Sequence, residues 1–234
     1  MSNLNVNWIN LVFVIDESGS MTGSETDVVG GFKKIIEEQK ANKDGKVTVS
    51  LYTFASDVKQ LYLGKDINEI DEFVYRPSGM TKLNDGVGRA IDEVGDWLYK
   101  KDKNGEEMPA KTLVVVMTDG AENSSIEYSL KQIQDKIKEQ TEKYSWEFIY
   151  QGVDITSTKV ADDMGFKFKT YSSKLKLANN YDVVNLATTA YRSMASSGAD
   201  FKASTLSFCD TLAEASMKNT KDYEKELGRK LSNV

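Results

Sequence analysis

Five oxygen-bearing side chains in this 234-residue sequence lie beside apolar runs, at spacings that suit the loops at strand ends. Asp16, Ser18 and Ser20 follow the run LVFVI within DESGSM, Thr81 lies in SGMTKLND, and Asp119 follows TLVVVMT in the turn TDG. Two carboxylates and three hydroxyls suit magnesium, a small cation that takes six oxygens in near-octahedral array and accepts water among them. The carboxylates offset its charge, while neutral hydroxyls fill positions without adding more. The ion stays electrophilic, with room for an outside oxygen, and a carboxylate from another protein is the favoured guest. Each piece alone has a plain explanation, since Asp-Gly is a common turn, Ser-Gly-Ser is loop chemistry and Thr81 could cap a helix. Their conjunction, in order and at strand ends, points to a metal site.

Composition removes most competing chemistries. The sequence has no histidine, which excludes Ser-His-Asp and Cys-His nucleophile systems and HExxH zinc sites. A single cysteine, Cys209, excludes intramolecular disulfides and fits a reducing compartment; the expectation for it is a small buried hydrophobe on a helix. With 36 acidic against 30 basic residues, a net charge of -6 argues against a surface that tracks nucleic-acid phosphates. No segment reads as a signal peptide or approaches the roughly eighteen apolar residues of a membrane span, so a cytoplasmic location is expected. GVGRAI follows a loop and lacks a third glycine, so it is not read as a dinucleotide loop, and GxxxxGK[ST] does not occur.

The elements that would position the five residues follow from periodicity. INLVFVI (9–15), VTVSLYTF (47–54), TLVVVMT (112–118) and WEFIYQGV (146–153) read as buried strands. SDVKQLYLG (56–64) reads as an antiparallel edge strand and FKFKTYS (166–172) as the opposite edge. Helical stripes fall between them: Val28, Phe32, Ile35 and Ile36; Val87, Ile91, Val94 and Leu98; and Ile126, Leu130, Ile133 and Ile137, all expected to face the core. Further helices are expected at 156–165 and 176–194. This alternation predicts a Rossmann-like, doubly wound, mostly parallel six-stranded sheet with one antiparallel edge strand and helices on both faces. If the first and fourth strands are neighbours, the five side chains converge on one rim. After a small, polar hinge in MASSGAD, one or two helices follow, in which Phe201, Leu206, Phe208, Leu212 and Met217 are candidates for packing on the body or on a partner.

FVIDESGSM, MTKLNDGVGRAI and VVVMTDGAENSS resemble the corresponding stretches of the von Willebrand factor A domains, whose metal ion-dependent adhesion site has Asp-x-Ser-x-Ser, then a Thr, then an Asp. WEFIYQGVD, Met164-Gly165-Phe166 and the helix ending TTAYRSM resemble stand-alone intracellular bacterial and phage members. The resemblance runs over about residues 8–194 and implies a domain at 1–194 with a C-terminal helical extension at 195–234. It implies that Ser18, Ser20 and Thr81 contact the ion through hydroxyls, and that Asp16 and Asp119 do so directly or through water. Asp85 matches an acid that commonly follows the Thr, with an expected role in capping a helix or supporting the ligands from behind. Met80 stands where many members have a second glycine, and WEFIYQGVD departs from the Gly-Ala-Asn-Gln-Asp of the subgroup.

The implied function is a non-enzymatic, magnesium-dependent protein-binding module, with manganese or calcium as substitutes. A partner Asp or Glu completes the ion's shell, and ATPase-containing assemblies are the first partner class; neither nucleic acid nor membrane is expected. The alternative is a magnesium-dependent phosphohydrolase in which Asp16 attacks a phosphoryl group. Such enzymes usually need an acid two residues later, where this sequence has Ser18.

Overall fold

The computed structural model describes residues 3–120, 122–153, 158–172 and 178–231. Six strands form one sheet: β1 (Leu4–Asp16), β2 (Lys46–Phe54), β3 (Val58–Asp66), β4 (Met108–Thr118), β5 (Glu147–Gly152) and β6 (Phe168–Tyr171), in the order β3-β2-β1-β4-β5-β6. Only β2 and β3 pair antiparallel, joined by too few residues for a crossover; every other neighbour is parallel and reached through a helix. The expected fold class is thus the observed one. Strand order reverses between β1 and β4, where Ile15 pairs with Met117, so the two carboxyl ends open side by side.

Alternate strand residues feed two cores. Phe13 and Ile15, Val49 and Leu51, Val115 and Met117 face α1 (Glu25–Ala41) and α5 (Ala178–Ser196). Val12, Val14, Tyr52, Phe54, Val114 and Val116 face α2 (Leu83–Lys103), α3 (Leu130–Tyr144) and α4 (Thr158–Met164). β4 is buried along its whole length, as its unbroken apolar run requires of a central strand.

One expected helix begins later than its periodicity suggests. Ile126 and Leu130 were expected on the core-facing stripe of α3, but only Ile133 and Ile137 are buried there; Ile126 is 83% exposed. Hydrogen bonding overrides the spacing. Ser129 and Gln132 form a capping box that starts α3, while the Asp85 carboxylate accepts the amides of Ile126 (3.0 Å), Glu127 (2.9 Å) and Tyr128 (3.0 Å), holding them out of a helix. The Tyr128 ring takes the vacated packing position against Gly88, where any Cβ would approach it within 2.5 Å. The expected helix starts at 156 and 176, and the aspartate of WEFIYQGVD, fall outside the described residues.

After α5 the chain turns at Gly198 (φ 86°) into one long helix, α6 (Phe201–Leu231). Phe208 and Leu212 are fully buried in the same core as the sheet, whereas Leu206 and Met217 are exposed. Beneath α6, the buried Lys111 ammonium donates to Ser145 O (2.9 Å) and pairs with Glu147 (3.2 Å), whose Oε1 also accepts from the Cys209 thiol at 3.1 Å. Cys209 is half-buried, and its thiol is pushed up to about 11 by burial, with the Glu147 carboxylate adding to it. Removing one partner of a buried ion pair leaves an uncompensated charge, costing roughly 3–5 kcal/mol. Lys111→Ala is therefore expected to lower the midpoint of urea unfolding strongly, while the Lys111→Met, Glu147→Gln double variant regains much of the loss. Equal destabilisation of the two variants would refute this reading.

Candidate metal centre

The last residue of β1 is Asp16, fully buried because β2 and β4 flank it. Its Oδ1 accepts the Ser18 amide at 2.7 Å and its Oδ2 accepts the Thr118 hydroxyl at 2.5 Å. The Ser18 and Ser20 hydroxyl oxygens are 3.0 Å apart, and Ser20 donates to Asp119 Oδ1 at 2.5 Å. Thr81 joins this group across Gly120: a Cβ on that glycine would lie 3.6 Å from both Ser20 Oγ and Thr81 Oγ1. Asp16, Ser18, Ser20 and Asp119 thus form a connected polar chain, and the Thr81 hydroxyl lies on the other side of Gly120 from it, in the loop ahead of α2.

Cross-bracing sets these three loops relative to each other. Gly19 N–H donates to Gly79 O (3.1 Å), and Tyr75 donates its hydroxyl to Asp16 O (2.5 Å). Glu17 accepts the Arg76 amide (2.8 Å) and the Lys59 ammonium (3.1 Å), while its carbonyl accepts from Ser78. Behind Asp119, Glu122 accepts the amides of Asn84 (2.8 Å), Ser124 (2.8 Å) and Ser125 (2.6 Å), and Asn123 Oδ1 accepts the Thr81 amide at 2.9 Å. Gly79 needs its positive φ of 80°, and Met80, in place of a glycine, points into solvent while its amide donates to Ser56 Oγ at 3.0 Å. Sequence reasoning missed Thr118, Glu17, Glu122 and Asn123. All four lie in the quoted stretches FVIDESGSM and VVVMTDGAENSS, but only the fold reveals their targets.

The electrostatics favour a cation. Burial pushes the Asp16 carboxyl up to about 6, and the neighbouring Asp119 adds to the rise; hydrogen bonds from Ser18 and Thr118 oppose it. Among the described residues no cluster of three or more acidic, histidine or cysteine ligands occurs, so a cation here would meet two carboxylates and hydroxyls. That oxygen-only set, on a rim where the buried Asp16 carboxylate has no ion-pair partner among the described residues, fits a hard divalent ion.

Residues 10–154 match the family model described as the von Willebrand factor type A domain. No curated protein sequence matches the chain. Among solved structures, it is similar to proximal thread matrix protein 1 from the mussel byssus (TM-score 0.56, 18% identity), covering 76% of this chain and 45% of that one. Another structure of the mussel protein, with a zinc-occupied MIDAS motif, gives a TM-score of 0.54 at 21% identity over 76% of this chain and 45% of that one. A third likeness is to manganese-loaded Plasmodium vivax TRAP protein (TM-score 0.51, 19% identity), over 77% of this chain and 72% of that one. The present chain thus spans less than half the length of the mussel protein, and at these identities the likeness is one of fold.

A folded-state value near 6 lies above the ordinary 3.8 expected when the chain is unfolded, so the fold resists ionising Asp16. This contribution to stability is fully present below the unfolded value and lost as pH rises through about 6, a swing on the order of 3 kcal/mol. In chelator, Asp16→Asn is expected to melt higher than the parent at about pH 8, with the gap closing by about pH 4. Melting curves at both values check this, and a variant less stable at the higher pH would contradict it.

Proposed function

Because the chain belongs to the von Willebrand factor type A family, we propose that it is a non-enzymatic, divalent-cation-dependent module that binds a partner protein through that partner's Asp or Glu. The observation that carries the proposal is the meeting of Asp16, Ser18, Ser20, Thr81 and Asp119 on the rim between β1 and β4. A bound cation supplies an electrophilic centre able to take one more oxygen. Magnesium is the favoured ion, with manganese or calcium as substitutes; the zinc and manganese in two structural relatives support a site that takes divalent metals.

This chain's residues divide the work. Asp16 and Asp119 offset the ion's charge, and Ser18, Ser20 and Thr81 turn their lone pairs toward it, which requires the present Ser20–Asp119 hydrogen bond to be exchanged. Glu17, Asp85 and Glu122 take up loop amides and so hold the donors in place without joining them. Exposed Met80, beside Thr81, offers the partner an apolar contact next to its carboxylate.

The phosphohydrolase alternative fits less well. Ser18 stands where such enzymes usually carry a second acid, and the fully buried Asp16 gives a bulky phosphoryl group less access than a bare cation. The reading extends to a cytoplasmic protein of the stand-alone bacterial or phage type, working beside an ATPase-containing assembly, with residues 195–234 as a helical extension. No helix among the described residues is long and apolar enough to cross a membrane.

Magnesium at about 100 times its dissociation constant is expected to stabilise the fold by about 2.7 kcal/mol, or roughly 5–10 °C in melting temperature. Asp119→Ala and Thr81→Ala should abolish most of that rise while leaving the chelated protein folded. An unchanged rise in both variants would place the ion elsewhere. Partner capture from native lysate is expected in magnesium and not in chelator, and turnover of an aryl phosphate ester that is lost in Asp16→Asn would replace the binding reading with the enzymatic one.

A further inference from the structure

A second concave feature, a groove, lies at the other end of the sheet. It has a volume of about 660 Å³ and runs between the carboxyl-terminal halves of α2 and α3, floored by Met108, Ala110 and Trp146 at the amino ends of β4 and β5. Leu4, at the amino end of β1, also lines it, so it is separated from Asp16 by the length of that strand, roughly 40 Å. Its volume is in the range of clefts that hold ligands and peptide side chains.

Three observations indicate what would fill it. Leu4, Tyr99 and Tyr144 are 48%, 60% and 60% exposed along its walls, a concentration of large apolar surface suited to anchoring a partner. The walls are also acidic. Asp92 is paired with Lys136 and Glu139 with Lys143, but among the described residues Asp96 and Asp102 form no ion pair. Asp96 and Asp102 thus offer the groove's wall carboxylates that an incoming cation can pair. Finally, Gly95 sits in the interior of α2 and lines the groove, yet a Cβ there would meet nothing within 4 Å. Glycine weakens a helix relative to alanine, and no contact among the described residues requires it. It does leave room for another backbone to approach α2 closely.

We propose that this groove docks a basic amphipathic helix of a partner protein. Its apolar side lies against Tyr99 and Tyr144, its lysines or arginines face Asp96 and Asp102, and its closest approach is over Gly95. With the rim between β1 and β4, the chain would then contact partners at both ends of the sheet. The groove itself uses no metal.

A displayed library of helix-forming peptides, selected against the full chain in chelator, tests this without involving the metal site. Enriched peptides should be basic, with apolar residues at i, i+3 or i+4, and i+7. Gly95→Gln and the Asp96→Lys, Asp102→Lys double variant should each weaken a selected peptide by about tenfold or more. Added salt should weaken binding to the parent. Gly95→Gln should melt no lower than the parent, since glutamine favours helix over glycine, so lost binding would not reflect lost fold. Four outcomes would overturn the proposal: no enrichment, enrichment of acidic or extended peptides, binding indifferent to Gly95→Gln, or a dimer of the chain that Gly95→Gln dissociates.

Discussion

The burial of one ionisable carboxylate, Asp16, at the end of a central strand shapes the rest of this molecule. Packing β2 and β4 around β1 removes the group from water, and the fold answers with the Ser18 amide and the Thr118 hydroxyl. Those bonds offset only part of the desolvation, which leaves the carboxyl near 6. A sheet that placed Asp16 at an edge would solvate it and lose the tension. At the reversal point between β1 and β4, the group is buried on both flanks yet opens upward toward Ser20 and Asp119, where a cation could complete its surroundings.

A second constraint follows from the first, because donors on separate loops are useful only if the loops cannot drift. Other acids fix them. Glu17, Asp85 and Glu122 each accept main-chain amides from a loop distant in sequence, and these charge-assisted bonds are stronger than neutral ones. The acidic residues near the rim thus divide into two kinds. Asp16 and Asp119 are linked to the loop of Ser18 and Ser20, Asp16 through the Ser18 amide and Asp119 through the Ser20 hydroxyl, while the others accept amides across loops that would otherwise be stranded. The exposure of Ile126 is a consequence of the same arrangement, since Asp85 fixes residues 126–128 in the loop ahead of the Ser129 cap.

The two ends of the sheet differ in chemistry. At the carboxyl ends, oxygens converge, with Met80 and Ile126 as exposed apolar neighbours. Apolar surface and a helix-interior glycine mark the groove at the amino ends. α6 covers the flank beside β5 and β6, tied down by Phe208, Leu212 and the Cys209 hydrogen bond to Glu147. Its Asn219 accepts the Tyr171 amide at 2.7 Å, occupying a donor that β6 would otherwise present at the edge of the sheet.

Local pattern alone carried the class of fold. Apolar runs such as TLVVVMT suit central parallel strands, helical stripes such as Val87, Ile91 and Val94 suit helices that cover them, and the short link after VTVSLYTF allows only an antiparallel neighbour. The order Asp16, Ser18, Ser20, Thr81, Asp119 was legible too, because strand ends are where such a sheet collects ligands. What tertiary structure decided was every relation between residues distant in the chain: that Thr118 supports Asp16, that Asp85 restrains residues 126–128, and that Gly95 faces an open groove. The physical reason is that periodicity reports which side of an element avoids water. Hydrogen bonds and charge pairs depend on which elements meet, and a single sequence encodes that meeting only through the folded whole.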